Sequence, residues 1–204
     1  DHKKMKIYKN TIFTVGALSK QINHLKKAKK LKVKKIISVL IGGSGKSSNL
    51  TIEDIKGSVD ILCKFKNKYI INYCFSRRTP EKIKNYIIKH KYSSHICYSE
   101  GDVNPYPELL KSSNFFIVTQ DSVGMISDVL NTGKSIYIVE LKNIKRKLRD
   151  FSDFLIKEKY TRIFDGNFQK SSYKPLNEVK RVADLVLQNL TNDYVPKSID
   201  LDTF

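Results

Sequence analysis

The residues of this chain best suited to chemistry fall in four short polar stretches. They are Gly42-Gly43-Ser44-Gly45-Lys46-Ser47-Ser48, Ser76-Arg77-Arg78-Thr79, Glu100-Gly101-Asp102-Val103-Asn104-Pro105-Tyr106 and Gln120-Asp121-Ser122-Val123-Gly124-Met125. Together these residue types suit the holding of a phosphorylated ligand. Glycines let backbone approach a diphosphate, and successive N–H groups can form an anion nest. A helix N-terminus adds donors and partial positive charge. Arg77 and Arg78 are two of only six arginines in a chain with 32 lysines, and their forked donors match a phosphate or carboxylate bidentately. Ser122 and Ser127 offer hydroxyl donors, and Asp128 can accept from sugar hydroxyls.

The first stretch, within "LIGGSGKSSNLT" (40–51), looks like a nucleotide-binding P-loop and fails on spacing. That motif needs a glycine where Leu40 stands, so the loop is too short to wrap a triphosphate in that manner. Each stretch also has a plain structural reading. Gly42 and Gly43 suit a tight strand exit, and Arg77 and Arg78 suit surface charges at helix ends. Asp121 and Ser122 suit an N-cap pair, and Asn104-Pro105-Tyr106 suits a turn opening a helix. His2, His24, His90 and His95 show neither metal nor triad spacing. Cys63, Cys74 and Cys97 are odd in number and lack CxxC spacing, which speaks against zinc and disulfides and fits a reducing cytoplasm. No metal site or cofactor is expected.

The elements that must position these stretches are legible from residue 35 onward. "IISVLI" (36–41), "YIINYCF" (69–75), "HICY" (95–98), "FFIVT" (115–119) and "SIYIV" (135–139) are continuous apolar runs, as strands buried on both faces read. Helical spacing lies between and after them. Thr51 to Asp54 gives a capping signal before Ile52, Ile55, Val59 and Leu62. Thr79-Pro80 predicts a helix with proline in its first position and Ile83 and Ile87 inward. Residues 121–132 carry Val123, Ile126 and Leu130 at core spacing, with Gly133 as terminator. Leu148, Phe151 and Leu155 mark a fifth helix, and Val179, Val182, Val186 and Leu190 a last one. Strand alternating with helix predicts an α/β fold, a doubly wound parallel sheet of five or six strands, Rossmann-like. All four polar stretches then follow strands directly, on the edge where such sheets bind ligands.

Residues 1–34 differ in character, and residues 1–35 carry 12 lysines against one acid. "QINHLKKAKK" reads as a short basic helix. The expected division is a basic linker, or the end of a missing amino-terminal domain, over 1–34, and a Rossmann-like domain with a C-terminal helix over 35–204. The net charge of +18 favours phosphate-rich partners at long range, including an anionic membrane surface through residues 1–34. Nucleic acid ranks last as a partner, since aromatic and basic residues do not interleave as a single-strand platform requires. No apolar run approaches the roughly 18 residues of a membrane span. The expected location is cytoplasmic, peripheral on the inner face of the membrane if the basic start docks there.

"VLIGGSGKSSNLT", "SRRTP", "EGDVNPYPELLKSSNFFIVTQDSVGMISDVLNTGKSIYIVEL", "FSDFLIKEKYTRIFDG" and "YKPLNEVKRVADLV" resemble, in this order, the mitochondrial-fission-protein-like (elongated-mitochondria) family. The resemblance runs from about residue 10 to residue 190. That family is in turn similar to glycosyltransferases of the GT-B fold, with two Rossmann-like domains facing across a cleft. The resemblance implies a C-terminal domain of the GT-B type, binding a nucleotide-diphosphate sugar. Gly42-Gly43-Ser44 would lie against the diphosphate and Asp121 to Ser127 would line the donor site. Where related sequences usually carry Glu, this chain has Asp128, one methylene shorter. A glycosyltransferase-like role in envelope glycan or lipid-linked sugar metabolism is implied, with donor binding but no turnover expected of this chain alone. The alternative is a non-catalytic, membrane-associated interaction protein that keeps the GT-B shell.

Overall fold

A computed structural model describes residues 11–19, 34–98, 104–170 and 173–191. Six strands form one parallel sheet: β1 (Lys35–Ile41), β3 (Tyr69–Phe75), β4 (Ile96–Tyr98), β5 (Phe115–Thr119), β6 (Ser135–Val139) and β8 (Thr161–Ile163). Their spatial order is β4-β3-β1-β5-β6-β8, so the winding reverses between β1 and β5. Among the described residues six helices accompany them: α1 (Ile52–Cys63), α2 (Glu81–His90), α3 (Tyr106–Ser112), α4 (Val123–Leu130), α5 (Arg146–Lys157) and α6 (Glu178–Thr191). Two residues each from β2 (Ser48–Asn49) and β7 (Asn143–Ile144) pair antiparallel as a separate two-stranded sheet. The α/β, doubly wound, Rossmann-like expectation is met, with six strands.

The apolar runs are continuous because both faces of the sheet are covered. Ile37, Val39, Ile41, Ile71, Tyr73, Phe115, Ile117, Tyr137 and Val139 point into one core with Ile55, Val59, Leu62, Ile83 and Ile87 of α1 and α2. Their neighbours Leu40, Cys74, Phe116, Val118, Ile136 and Ile138 point into the other, with Leu109, Leu110, Ile126, Val129, Leu130 and Leu155 of α3, α4 and α5. Alternate side chains on a strand take opposite faces. A run apolar at every position therefore serves two cores.

Most expected boundaries hold, with three differences. Thr51 caps α1 through a reciprocal bond pattern with Asp54, as its sequence suggested. Pro80 sits one position earlier than expected: its extended backbone (φ −60°, ψ 142°) makes it the N-cap, and α2 starts at Glu81. The helix expected over 121–132 is regular only over Val123–Leu130, and Gly133 follows at φ +68°. The last helix is present, but Val186 and Leu190 are 41% and 77% exposed, so its apolar spacing extends beyond what this sheet covers.

Of the basic start, residues 11–19 are described and are seated on α4 and α6. The Ala17 N–H donates to Ser127 Oγ (2.9 Å), the Val15 N–H to Glu178 Oε2 (2.9 Å), and Asn131 Nδ2 to Ser19 Oγ (2.5 Å). His2, His24 and the expected basic helix lie outside the described residues, as do residues 100–103 of the third polar stretch.

Candidate functional site at the sheet reversal

The two strands flanking the reversal, β1 and β5, end in the glycine stretch and the Asp121-Ser122 stretch, and the two exits are bonded to each other. The Gly42 N–H donates to Thr119 Oγ1 at 2.8 Å and the Gly43 N–H to Asp121 Oδ2 at 2.8 Å. Thr119 Oγ1 in turn donates to Asp121 Oδ1 at 2.7 Å. Arg78 reaches the same carboxylate from the β3 exit, with one guanidinium nitrogen 3.4 Å from Oδ2. The Thr79 hydroxyl donates to the carbonyls of Ile41 and Gly42. Further along the loop, the Ser44 N–H donates to the Arg78 carbonyl and the Gly45 N–H to that of Ser48.

This arrangement corrects the expectation of an anion nest in the glycine stretch. Every N–H from Gly42 to Gly45 already has an acceptor within the chain. The anion that sits in the loop is Asp121 itself. The glycines are needed to admit it: a Cβ on Gly42 would lie 2.3 Å from the Asp121 carboxylate oxygens, and one on Gly43 would lie 1.9 Å from the Arg78 carbonyl oxygen. The Asp121 side chain is fully covered. Burial pushes its pKa upward, opposed by the bonds from Gly43 and Thr119 and by the Arg78 charge.

Beside this closed network lies an open cavity of about 640 Å³, lined by residues of three strand exits and the helices after them. Ser76, Arg77 and Arg78 come from the β3 exit, and Tyr98 ends β4. Asn104, Pro105 and Tyr106 open α3, and Ser122, Gly124, Met125 and Asp128 come from α4 and its cap. The Ser122 side chain makes no cap bond, and among the described residues no acceptor meets the N–H groups of Val123, Gly124 and Met125. The first turn of α4 is therefore the open set of donors. Across the cavity, Tyr106 donates to Asp128 Oδ2 at 2.7 Å, and among the described residues no donor meets Oδ1. Burial, and then the Asp128 charge, push the Tyr106 phenol upward, so it stays protonated as that donor.

Of the residues singled out from the sequence, Ser76, Arg77, Arg78, Asn104, Pro105, Tyr106, Ser122, Met125 and Asp128 line this one cavity. Gly42, Gly43, Thr79 and Asp121 form the bonded floor beside it, and Ser44 turns its hydroxyl to Asn49 and to the Leu50 N–H. Ser127 is elsewhere. It lies one residue before Asp128 on α4, so its hydroxyl faces the 11–19 segment, bonded to Val123 and Ala17. Gly124 lines the cavity as part of the fourth stretch, whereas Phe75, Tyr98 and Thr119 were not singled out. The signal that finds them is position: Phe75, Tyr98 and Thr119 are the last residues of β3, β4 and β5.

The described histidines stand apart from this cavity. His90 stacks on Tyr86 at 4.1 Å. His95 is 3% exposed with neither ring nitrogen bonded, and burial together with the Lys91 charge pushes its pKa down to about 4. Among the described residues no three His, Cys, Asp or Glu side chains converge as a metal site, and no helix is long and apolar enough to cross a membrane.

Fold and site together define a doubly wound α/β protein with a polar crevice at its point of strand reversal. The chain belongs to the Mitochondrial fission ELM1 family, whose model matches residues 1–190. An uncharacterized protein of Rickettsia prowazekii is 32% identical over 170 residues, covering 76% of this chain and 46% of that protein. Mitochondrial fission protein ELM1 of Arabidopsis thaliana is 31% identical over 125 residues, 59% of this chain and 29% of that one. This chain therefore spans less than half the length of either relative. Among solved structures, a putative UDP-N-acetylglucosamine 2-epimerase from Listeria monocytogenes aligns with a TM-score of 0.48 at 8% identity, over 82% of this chain and 48% of that one. That likeness is distant, and the fold assignment rests on the sheet order itself.

Proposed function

We propose that the cavity at the sheet reversal binds the diphosphate end of a nucleotide-diphosphate sugar, and that the chain is the donor-binding half of a GT-B-like glycosyltransferase-related protein. The observation that carries this reading is the convergence of Arg77, Arg78 and the uncapped first turn of α4 on one 640 Å³ space. Two guanidinium groups and a ring of open N–H donors are complementary to a dianion. The Tyr98, Phe75, Pro105 and Met125 surfaces provide an apolar wall for a flat base, and Asp128 Oδ1 is placed to accept from a sugar hydroxyl.

In such a transfer an acceptor hydroxyl would form a bond to the anomeric carbon as the bond from that carbon to the distal phosphate oxygen breaks. The acceptor's proton would pass to a base on the acceptor side, and the electron pair would leave on the phosphate. Arg77, Arg78 and the α4 donors would neutralise that developing charge. In this reading the glycine loop does not touch the phosphates: it fixes Asp121, which fixes one nitrogen of Arg78 and leaves the rest of the fork for the ligand. The residues seated at 11–19 would lead to the neighbouring half that presents the acceptor.

Calorimetry of the chain with UDP, GDP, ADP and their sugar conjugates tests this directly. Saturable binding of at least one nucleoside diphosphate is expected, weakened about tenfold or more by Arg78→Ala, equivalent to roughly 1.4 kcal/mol. Absence of binding across the panel by a well-folded chain would count against the reading. So would affinity indifferent to both Arg77→Ala and Arg78→Ala.

A further inference from the structure

We propose that a second, smaller cavity at the amino end of the sheet binds a small organic anion, a carboxylate or phosphate group carried on a flat apolar body. The cavity holds about 360 Å³ and lies where β1, β5 and β6 begin, between Lys35, Asn114, Phe115, Lys134, Phe168 and Lys170. It is separated from the first cavity by the length of the strands, about 16 Å for the five residues of β5.

Three lysines line this space and no acidic residue does, and the Lys35 ammonium stands 5.7 Å over the Phe115 ring. Lys134 distinguishes it from the lysine-rich surface at large. Its ammonium is drawn inward and donates to the carbonyl oxygens of Leu110 and Lys111 at the end of α3, at 2.7 and 2.6 Å. Two neutral acceptors and the Phe116 ring, 5.8 Å from the ammonium, fix its position without neutralising it. Burial pushes its pKa down to about 8, partly opposed by Glu108 on α3, which is the cost an incoming anion would relieve.

The other polar groups are held as firmly. Asn114 Oδ1 accepts the Ile36 N–H at 2.8 Å, which commits the amide oxygen to β1, and among the described residues no acceptor meets its NH₂. The Ser135 hydroxyl is engaged with the Gln169 carbonyl at 2.8 Å, tying the 165–170 loop to the start of β6.

The apolar side of the cavity argues for an organic ligand. Phe168 is packed against Phe65, Tyr69, Tyr137 and Phe164, with ring centroids 5.2 to 5.8 Å away, so it cannot fold aside. With Phe115, tilted 46° at 5.1 Å, it makes a rigid aromatic floor. A bare inorganic anion would fill little of 360 Å³ and leave that floor uncovered. A ring bearing one anionic group covers the floor and reaches the lysines.

Phenyl phosphate, benzoate and inorganic phosphate are suitable probes, titrated into the whole chain by ligand-observed NMR and calorimetry. Saturable binding of phenyl phosphate or benzoate is expected, with inorganic phosphate at least about tenfold weaker. Lys134→Met, which keeps the apolar stem, should weaken binding about tenfold or more. Lys134 also caps α3, so the rim variant Lys35→Gln/Lys170→Gln serves as a second measure and should weaken it by about threefold or more while thermal unfolding is unchanged. Arg77→Ala/Arg78→Ala should leave the organic probe bound here. The proposal is overturned if neither organic probe saturates below about 10 mM. Unchanged affinity in the rim variant overturns it too. So does loss of binding in the arginine pair alone, since that would assign the probe to the other cavity.

Discussion

The exits of β1 and β5 lie side by side at the sheet reversal, both polar, both leading toward a helix, and they meet opposite fates. The β1 exit, Gly42 to Gly45, has the glycines expected of an anion site, yet each of its N–H groups is bonded within the chain. The β5 exit has a single glycine, Gly124, yet its following helix begins with free donors facing a cavity. Residue type at a strand exit thus signals close approach, and only the hydrogen-bond accounting tells what approaches. At β1 it is the chain's own carboxylate, and at β5 it is open space.

The largest effect that would sharpen this contrast is expected at Gly43. A methyl group there lies 1.9 Å from the Arg78 carbonyl oxygen, so two backbone segments must separate. Gly43→Ala should cost about 4 kcal/mol or more in denaturant unfolding, or prevent folding outright. Two residues on, Gly45→Ala meets nothing closer than an Arg78 side-chain nitrogen at 3.5 Å and should stay within about 0.5 kcal/mol of wild type. Equal tolerance at both positions would show that the loop stands open.

Next in size is Asp121→Ala. It strips the acceptor from the Gly43 N–H, the Thr119 hydroxyl and the Arg78 guanidinium at once. Stranded buried donors cost about 1–3 kcal/mol each before relaxation or water entry. A loss of about 3 kcal/mol is expected, with Asp121→Asn losing less because one oxygen can still accept from Gly43. If both variants unfold like wild type, the carboxylate is not what closes the β1 exit.

A smaller effect, on binding rather than stability, separates the two arginines. Arg78 is held by Asp121 and keeps half its side chain exposed, whereas among the described residues Arg77 has no ion-pair partner. Arg77→Ala should therefore lower nucleoside diphosphate affinity less than Arg78→Ala, by about three- against tenfold, because an unanchored side chain loses more conformational entropy on binding. The reverse order, measured by calorimetry, would remove Asp121 from any positioning role.

What the sequence disclosed follows from where its signals are local. Strands such as 69–75, 115–119 and 135–139 could be read to the residue because a strand buried on two faces is apolar at nearly every position, with Asn72 the one polar residue inside these three. β8 was harder to read, since Thr161–Ile163 is a three-residue edge strand with Ile163 47% exposed. The convergence of Ser76 to Arg78, Asn104 to Tyr106, and Ser122, Met125 and Asp128 was legible from the alternation of strand and helix, because parallel strands deliver their exits to one rim. The division of labour within that rim was not. That Asp121 fills the glycine loop depends on a partner 78 residues away in the chain. That Ser127 faces the 11–19 segment while Asp128 faces the cavity depends on how α4 is rotated against β5, which no short motif encodes.

Gly124 gives the smallest and most discriminating change. It sits in the first turn of α4 on the cavity wall, and a Cβ there would meet nothing within 4 Å. Alanine is the better helix residue, so Gly124→Ala should raise stability slightly, by about 0.5 kcal/mol, in denaturant unfolding. The same methyl group would stand among the open N–H donors and hold a phosphate away from them. Calorimetry should then show weaker nucleoside diphosphate binding in a more stable protein, the opposite pairing from Gly43→Ala, where binding would be lost only because the fold is. If Gly124→Ala binds as tightly as wild type, the phosphate does not rest on the α4 terminus, and Arg77 and Arg78 would have to hold it without that helix.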